Sequence, residues 1–169
     1  MTPRTISLIA SRNAEAQRAH FAIFVPAAAS PDQGTLIQAV GAPMMGYMLE
    51  FKRNYALADS VERYTIVPVG DIDSTNIVDS TDGVKTSDSV PRGTLEVAAA
   101  QIPTPGISEN FLAPVNDTTN KRCQEWTMEF IRALVGRGLL ESEAIRVVQS
   151  KRDSASHGIG LQPALPRSS

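Results

Sequence analysis

His20-Phe-Ala-Ile-Phe-Val25 decides the fold. It is built of β-branched and aromatic residues and is stopped by Pro26, the pattern of a strand. Along it His20, Ala22 and Phe24 point to one side and Phe21, Ile23 and Val25 to the other. Apolar residues on both sides predict a central strand covered on both faces. A turn from Ala27 to Gly34, containing Pro31 and Asp32, leads into Thr35-Leu-Ile-Gln-Ala-Val40, close enough to be the antiparallel partner. From Tyr47 to Arg53 the chain alternates Tyr47, Leu49 and Phe51 inward with Met48, Glu50 and Lys52 outward, which predicts a strand with one wet side. Tyr64-Thr-Ile-Val-Pro-Val69 is a further strand, and Pro68 places it at an edge or at its own end. Upstream, the apolar run Thr5 to Ala10 supplies the first strand.

The second half changes character. Between Asp71 and Arg92 the residues are mostly Asp, Ser, Thr and Gly, which predicts a long surface loop. Thr94 to Ile102 reads as a short helix ended before Pro103. The clearest helix begins after the polar cluster Asn116-Asp-Thr-Thr-Asn120, with Asn120 as the expected cap. Cys123, Trp126, Phe130 and Leu134 share one of its faces, and Gly136 and Gly138 end it. Glu141 to about Lys151 is a last helix with Ala144, Ile145 and Val148 as its stripe. The expected fold is therefore α+β, a small antiparallel sheet in the N-terminal half with C-terminal helices packed on it. It is expected to form a single domain over residues 1–153, followed by a loose tail over 154–169.

Composition excludes several functions. The 169 residues carry 16 Lys and Arg against 18 Asp and Glu, a net charge of -2, and the basic residues are scattered. No nucleic-acid partner is expected from that balance. No apolar run is long enough for a membrane span, and a lone cysteine excludes an internal disulfide, so a cytoplasmic protein without membrane contact is expected. Cys123 with only His20 and His157 is too few ligands for a zinc site, so no metal is expected. With no phosphate loop or dinucleotide fingerprint, no cofactor is expected either.

The candidate chemistry lies in three residues. Cys123 falls in the first turn of its helix, where backbone N–H groups and the helix dipole favour an anion. A thiolate nucleophile needs a base within hydrogen-bond reach, and the base needs a third group to orient it. His20 opens a core strand, and Gln38 is the one polar side chain in Leu36-Ile-Gln-Ala-Val40. Each also has a plainer reading: Cys123 as a small buried hydrophobe, His20 as a satisfied histidine at the core's edge, Gln38 as a solvent-facing amide. Taken together they make Cys123, His20 and Gln38 the candidate catalytic set, converging between the helix start and the sheet. The Ala27 to Gly34 and Asp71 to Arg92 loops are expected to bound the substrate's path.

His20-Phe-Ala-Ile-Phe-Val, then Gly34-Thr-Leu-Ile-Gln38-Ala, then much later Arg122-Cys123-Gln-Glu-Trp on a helix, resembles the circularly permuted papain-like cysteine hydrolases. Lecithin:retinol acyltransferase exemplifies that group, in which the histidine strand precedes the cysteine helix. Its third residue lies on the strand after the histidine, where this chain has Ile37-Gln38-Ala39. The chain also resembles small uncharacterised proteins of filamentous fungi across His20 to Tyr55 and Asn116 to Leu140. The resemblance implies a cysteine-dependent hydrolase or acyl-transfer enzyme acting on an amide, ester or thioester of a small molecule or peptide. Gln38 orients an imidazole but carries no charge, and no hydrophobic anchor follows the cysteine helix, a departure from lipid acyltransferases. The alternative is a non-catalytic binding domain, which would use the apolar Ala27-Ala-Ala-Ser and Pro43-Met-Met-Gly46 segments as its surface.

Overall fold

A computed structural model describes residues 2–60 and 63–159. Its strands are β1 (Pro3–Ser11), β2 (His20–Pro26), β3 (Gln33–Ala42), β4 (Gly46–Ala56), β5 (Tyr64–Asp73) and β6 (Thr86–Asp88). Its helices are α1 (Gly93–Ala100), α2 (Cys123–Gly136) and α3 (Glu143–Gln149). The strands form one six-stranded antiparallel sheet in the order β5-β1-β2-β3-β4-β6. The fold is α+β, and β2 is an interior strand as its two apolar sides require. No helix among the described residues is long and apolar enough to cross a membrane.

Strand alternation divides the sheet into two faces. On one, Ile6, Leu8, Phe21, Ile23, Ile37 and Phe51 pack against the helices through Trp126, Phe130, Leu134 and Val148. Trp126 is fully buried, stacks on Phe130 with ring centroids 5.4 Å apart, and its indole N–H donates to the Ile102 carbonyl at 3.1 Å. On the other face Ile9, Ala22, Phe24 and Leu36 form a smaller cluster with Tyr55, Leu57 and Tyr64. Among the described residues that second cluster is joined by Leu57 of a short 3-10 turn (Leu57–Asp59) and by no residue of α1, α2 or α3. The alternation also holds in β4, where Phe51 is buried and Met48 is exposed.

Pro68 sits where its missing N–H does least harm. β5 is an edge strand, and its register against β1 shifts between Ile6↔Gly70 and Ser7↔Pro68, a bulge beside the proline.

Two expectations need correction. The stretch from Asp71 to Arg92 is not a single loop. Asp71 to Asp73 extend β5, and Thr86 to Asp88 add β6 alongside β4. Its anchor is charge, which apolar content does not register. Arg53, 1% exposed, bonds both Asp88 oxygens (2.9 and 3.0 Å) and both Glu96 oxygens (3.0 Å each). The buried guanidinium is thereby held charged, its pKa raised by the two carboxylates against the opposing effect of burial.

The second correction concerns the start of α2. Asn120 is not its cap; its amide instead donates to the carbonyls of Ala113 (2.8 Å) and Pro114 (3.1 Å). Arg122 is the cap residue, and its N–H is closed by the side chain of Glu125 at 2.9 Å. Cys123 is thus the first residue of the helix. Residues 154–159 lie against the Arg12 to Arg18 segment, with Arg18 donating to the Ser154 carbonyl at 2.6 Å and Ile159 buried. The rest of the expected tail, residues 160–169, is outside the described residues.

Candidate functional site

His20 and Gln38 meet. His20 Nε2 lies 2.7 Å from Gln38 Oε1, and the Gln38 amide nitrogen donates to Glu50 Oε1 at 2.6 Å. The three residues stand on β2, β3 and β4, so the chain of polar groups crosses three adjacent strands. Gln38 and Glu50 are direct partners in the β3–β4 register. Alternation puts all three on the sheet face opposite the helices, and they line a cavity of about 380 Å³ with Ser11, Val40 and Lys52. Gln38 is only 5% exposed, so its amide needs these partners.

Cys123 comes to the same end of the sheet from the helical side. Its sulfur lies 3.8 Å from the carbonyl oxygen of Ala19, the residue immediately before His20. The next helix residue, Gln124, is fully buried and grips the same peptide, donating to Ala19 O at 2.9 Å and to Asp153 at 2.9 Å. Asp153 in turn accepts the Ala19 N–H at 2.8 Å. Both polar groups of Ala19 are therefore held by side chains, one on α2 and one just past α3. The register between the helix start and the start of β2 follows from that grip. Burial alone would raise the Asp153 carboxyl. The bonds from Ala19, Gln124 and Arg12 outweigh it and hold the group below its ordinary value.

Around the helix start the charges alternate. Glu125, 1% exposed, takes bonds from Arg18 (3.2 Å) and Arg152 (2.7 Å) as well as from the Arg122 N–H. Tyr47, Arg122 and Cys123 are near enough to act on one another electrostatically. Burial, with Cys123 nearby, pushes the Tyr47 phenol up to about 12. Burial also lowers the Arg122 guanidinium from its usual value.

The loops expected to bound the site lie elsewhere. The Ala27 to Gly34 turn follows the far end of β2. There Arg4 bonds Asp79 at 2.7 Å and the Pro26 carbonyl at 3.2 Å, joining the turn to the Asp71 to Arg92 stretch. The segment nearer Tyr47 is instead the β3–β4 turn, pinned by Tyr47 N–H to Pro105 O and Ser108 N–H to Pro43 O, each at 2.8 Å. Glu50, Gln124 and Asp153 were not among the residues singled out from the sequence. Glu50 was recognisable only as an outward residue of its strand; its place opposite Gln38 depends on the β3–β4 register.

An antiparallel sheet with a His–Gln–carboxylate chain on one face, and a helix opening with cysteine at its end, defines a small α+β protein with a candidate thiol–imidazole site. The chain belongs to a family of unknown function (DUF6540), whose family model matches residues 6–141. No curated protein and no solved structure matches it.

Proposed function

We propose that the protein is a cysteine-dependent hydrolase or acyl-transfer enzyme of permuted papain-like design, acting on an amide, ester or thioester. The observation that carries this reading is the position of the Cys123 sulfur, 3.8 Å from the carbonyl of the residue preceding His20, whose ring is bonded at Nε2 by Gln38. Gln38 holds the imidazole through Nε2, and His20 is the base assigned to the thiol.

In the reaction Cys123 gives its proton to His20 and attacks the substrate's carbonyl carbon. A tetrahedral intermediate forms, with negative charge on the former carbonyl oxygen. N–H groups of the first turn of α2 are the donors suited to that oxygen. His20 passes the proton to the leaving group as the bond breaks, giving an acyl-enzyme on sulfur. Water or another nucleophile, deprotonated by His20, then releases the acyl group and restores the thiol.

The test is incubation with a panel of amide, ester and thioester substrates, with mass spectrometry for acylation. An acyl adduct on Cys123 is expected, with turnover lost in Cys123→Ser and the fold kept. Undiminished turnover in Cys123→Ser contradicts the proposal.

A second reading, a binding domain, is favoured by one observation. Met45 and Met48, 81% and 70% exposed, border a groove of about 660 Å³ between the β3–β4 turn and residues 104–107. Exposed methionines are adaptable contact groups. An intact protein with no acylation of Cys123 by any member of the panel favours this reading.

A further inference from the structure

We propose that a separate ligand site lies at the end of β2 remote from Cys123, and that it takes a neutral, mostly apolar small molecule carrying a hydrogen-bond acceptor such as a carbonyl oxygen. The site is a cavity of about 490 Å³, inside the range of about 300–1,000 Å³ usual for small-molecule pockets. It does not depend on the reading of Cys123. β2 has seven residues, so at about 3.3 Å per residue its end at Pro26 stands roughly 20 Å from its start, where the Cys123 sulfur meets the Ala19 carbonyl.

Phe24, Pro26, Ala27, Pro31, Leu57 and Ile66 give the cavity its apolar lining. Phe24 and Leu57 belong to the smaller cluster on the sheet face opposite the helices, and Ile66 beside them is 44% exposed. Hydrogen bonds within the protein set the walls. Ala27 N–H donates to Gln33 O at 2.8 Å and closes the β2–β3 turn, and Leu57 N–H donates to Asp32 O at 3.2 Å and ties the 3-10 turn to it. A cavity held open in this way is pre-organised, which lowers the cost of binding.

Its polar side decides the class of ligand. Arg4, with a side chain 11% exposed, lies between two lining residues, donating from Nε to Ser74 Oγ at 2.8 Å and from Nη1 to the Pro26 carbonyl at 3.2 Å. Nη1 also bonds Asp79 at 2.7 Å, while Nη2 makes no hydrogen bond among the described residues. A guanidinium nitrogen only donates, so it calls for an acceptor. A carboxylate is its usual partner, but the surrounding charge argues against one. Asp79 already balances Arg4, and Asp71 and Asp73 stand opposite the lining residues Thr5 and Pro3 in the β1–β5 register. An anion there would meet three carboxylates and one guanidinium; a neutral carbonyl meets the donor without that repulsion.

The experiment is amide proton–nitrogen NMR of the full chain titrated with three probes. Propiophenone is an aromatic ketone, propylbenzene the same skeleton without the oxygen, and benzoate a ring with a carboxylate. Propiophenone should cause saturable shifts at Phe24, Ala27, Leu57 and Ile66, and the Arg4 Nε–H signal should move with them. Propylbenzene should bind about ten-fold more weakly, the least that losing a hydrogen bond to a charged group costs. Benzoate should also bind more weakly than propiophenone. Ile66→Glu, at an exposed position, should abolish the propiophenone shifts while Cys123 alkylation keeps its wild-type rate, which separates this site from the proposed reaction. No saturable shift with propiophenone, or shifts confined to the groove at Met45 and Met48, overturns the site, and so does unchanged binding in Ile66→Glu. If that variant does not fold, Ile66→Thr takes its place with clearly weaker binding expected and the same overturning result. Benzoate binding as tightly as propiophenone overturns the neutral class, and propylbenzene doing so overturns the role of Arg4.

Discussion

At the scale of single residues, the site combines groups whose partners are fixed with groups whose titration is displaced, Tyr47 among them. Tyr47 has a phenol raised from 10.0 to about 12, chiefly by burial, with Cys123 nearby adding to it. A group that holds its proton more tightly when folded contributes stability below its unfolded value and loses it as pH rises through the folded one. Stability measured by denaturant unfolding should therefore fall between about pH 10 and about pH 12. Tyr47→Phe, which has no proton to lose, should flatten that part of the profile. An unchanged slope in Tyr47→Phe would show that other groups set it. Of the three site residues read from the sequence, His20 and Gln38 were legible as a pair because each was a polar intruder in an apolar strand. Glu50 was not, since a glutamate on the outward side of a half-wet strand is what alternation predicts anywhere.

Among the elements, α2 joins the core to the site. Its apolar face holds Trp126, Phe130 and Leu134 at full burial, while its first residue, Cys123, stays partly accessible at the sheet's end. Trp126→Ala removes the stacked ring and leaves the Ile102 carbonyl without its indole donor. Such truncations cost about 3–5 kcal/mol, so the midpoint of thermal unfolding should drop clearly. A drop of less than a few degrees would mean that the surrounding core closes over the gap. The helix and its buried stripe could be read directly from the spacing of apolar residues. Its cap could not, because several polar residues precede it and only the three-dimensional path shows Asn120 turned back to Ala113 and Pro114.

For the whole molecule, the layering explains what was and was not legible. Strands β1 to β5 and the three helices announced themselves through apolar periodicity, and the α+β class followed from their order. β6 and the segment after α3 did not, since charge and hydrogen bonds hold them: Arg53 binds Asp88, and Arg12 and Gln124 bind Asp153. His20, Gln38 and Glu50 lie on the sheet face opposite the helices, while Cys123 comes from the helical side, its sulfur 3.8 Å from the Ala19 carbonyl at the start of β2. Whether thiol and imidazole act as a pair across that end is the central claim. The most direct test is the rate of Cys123 alkylation at neutral pH in the wild-type protein and in His20→Ala. The account predicts a rate at least about ten-fold lower without the imidazole, a conservative share of a base's contribution. Equal rates in two equally folded proteins would contradict it.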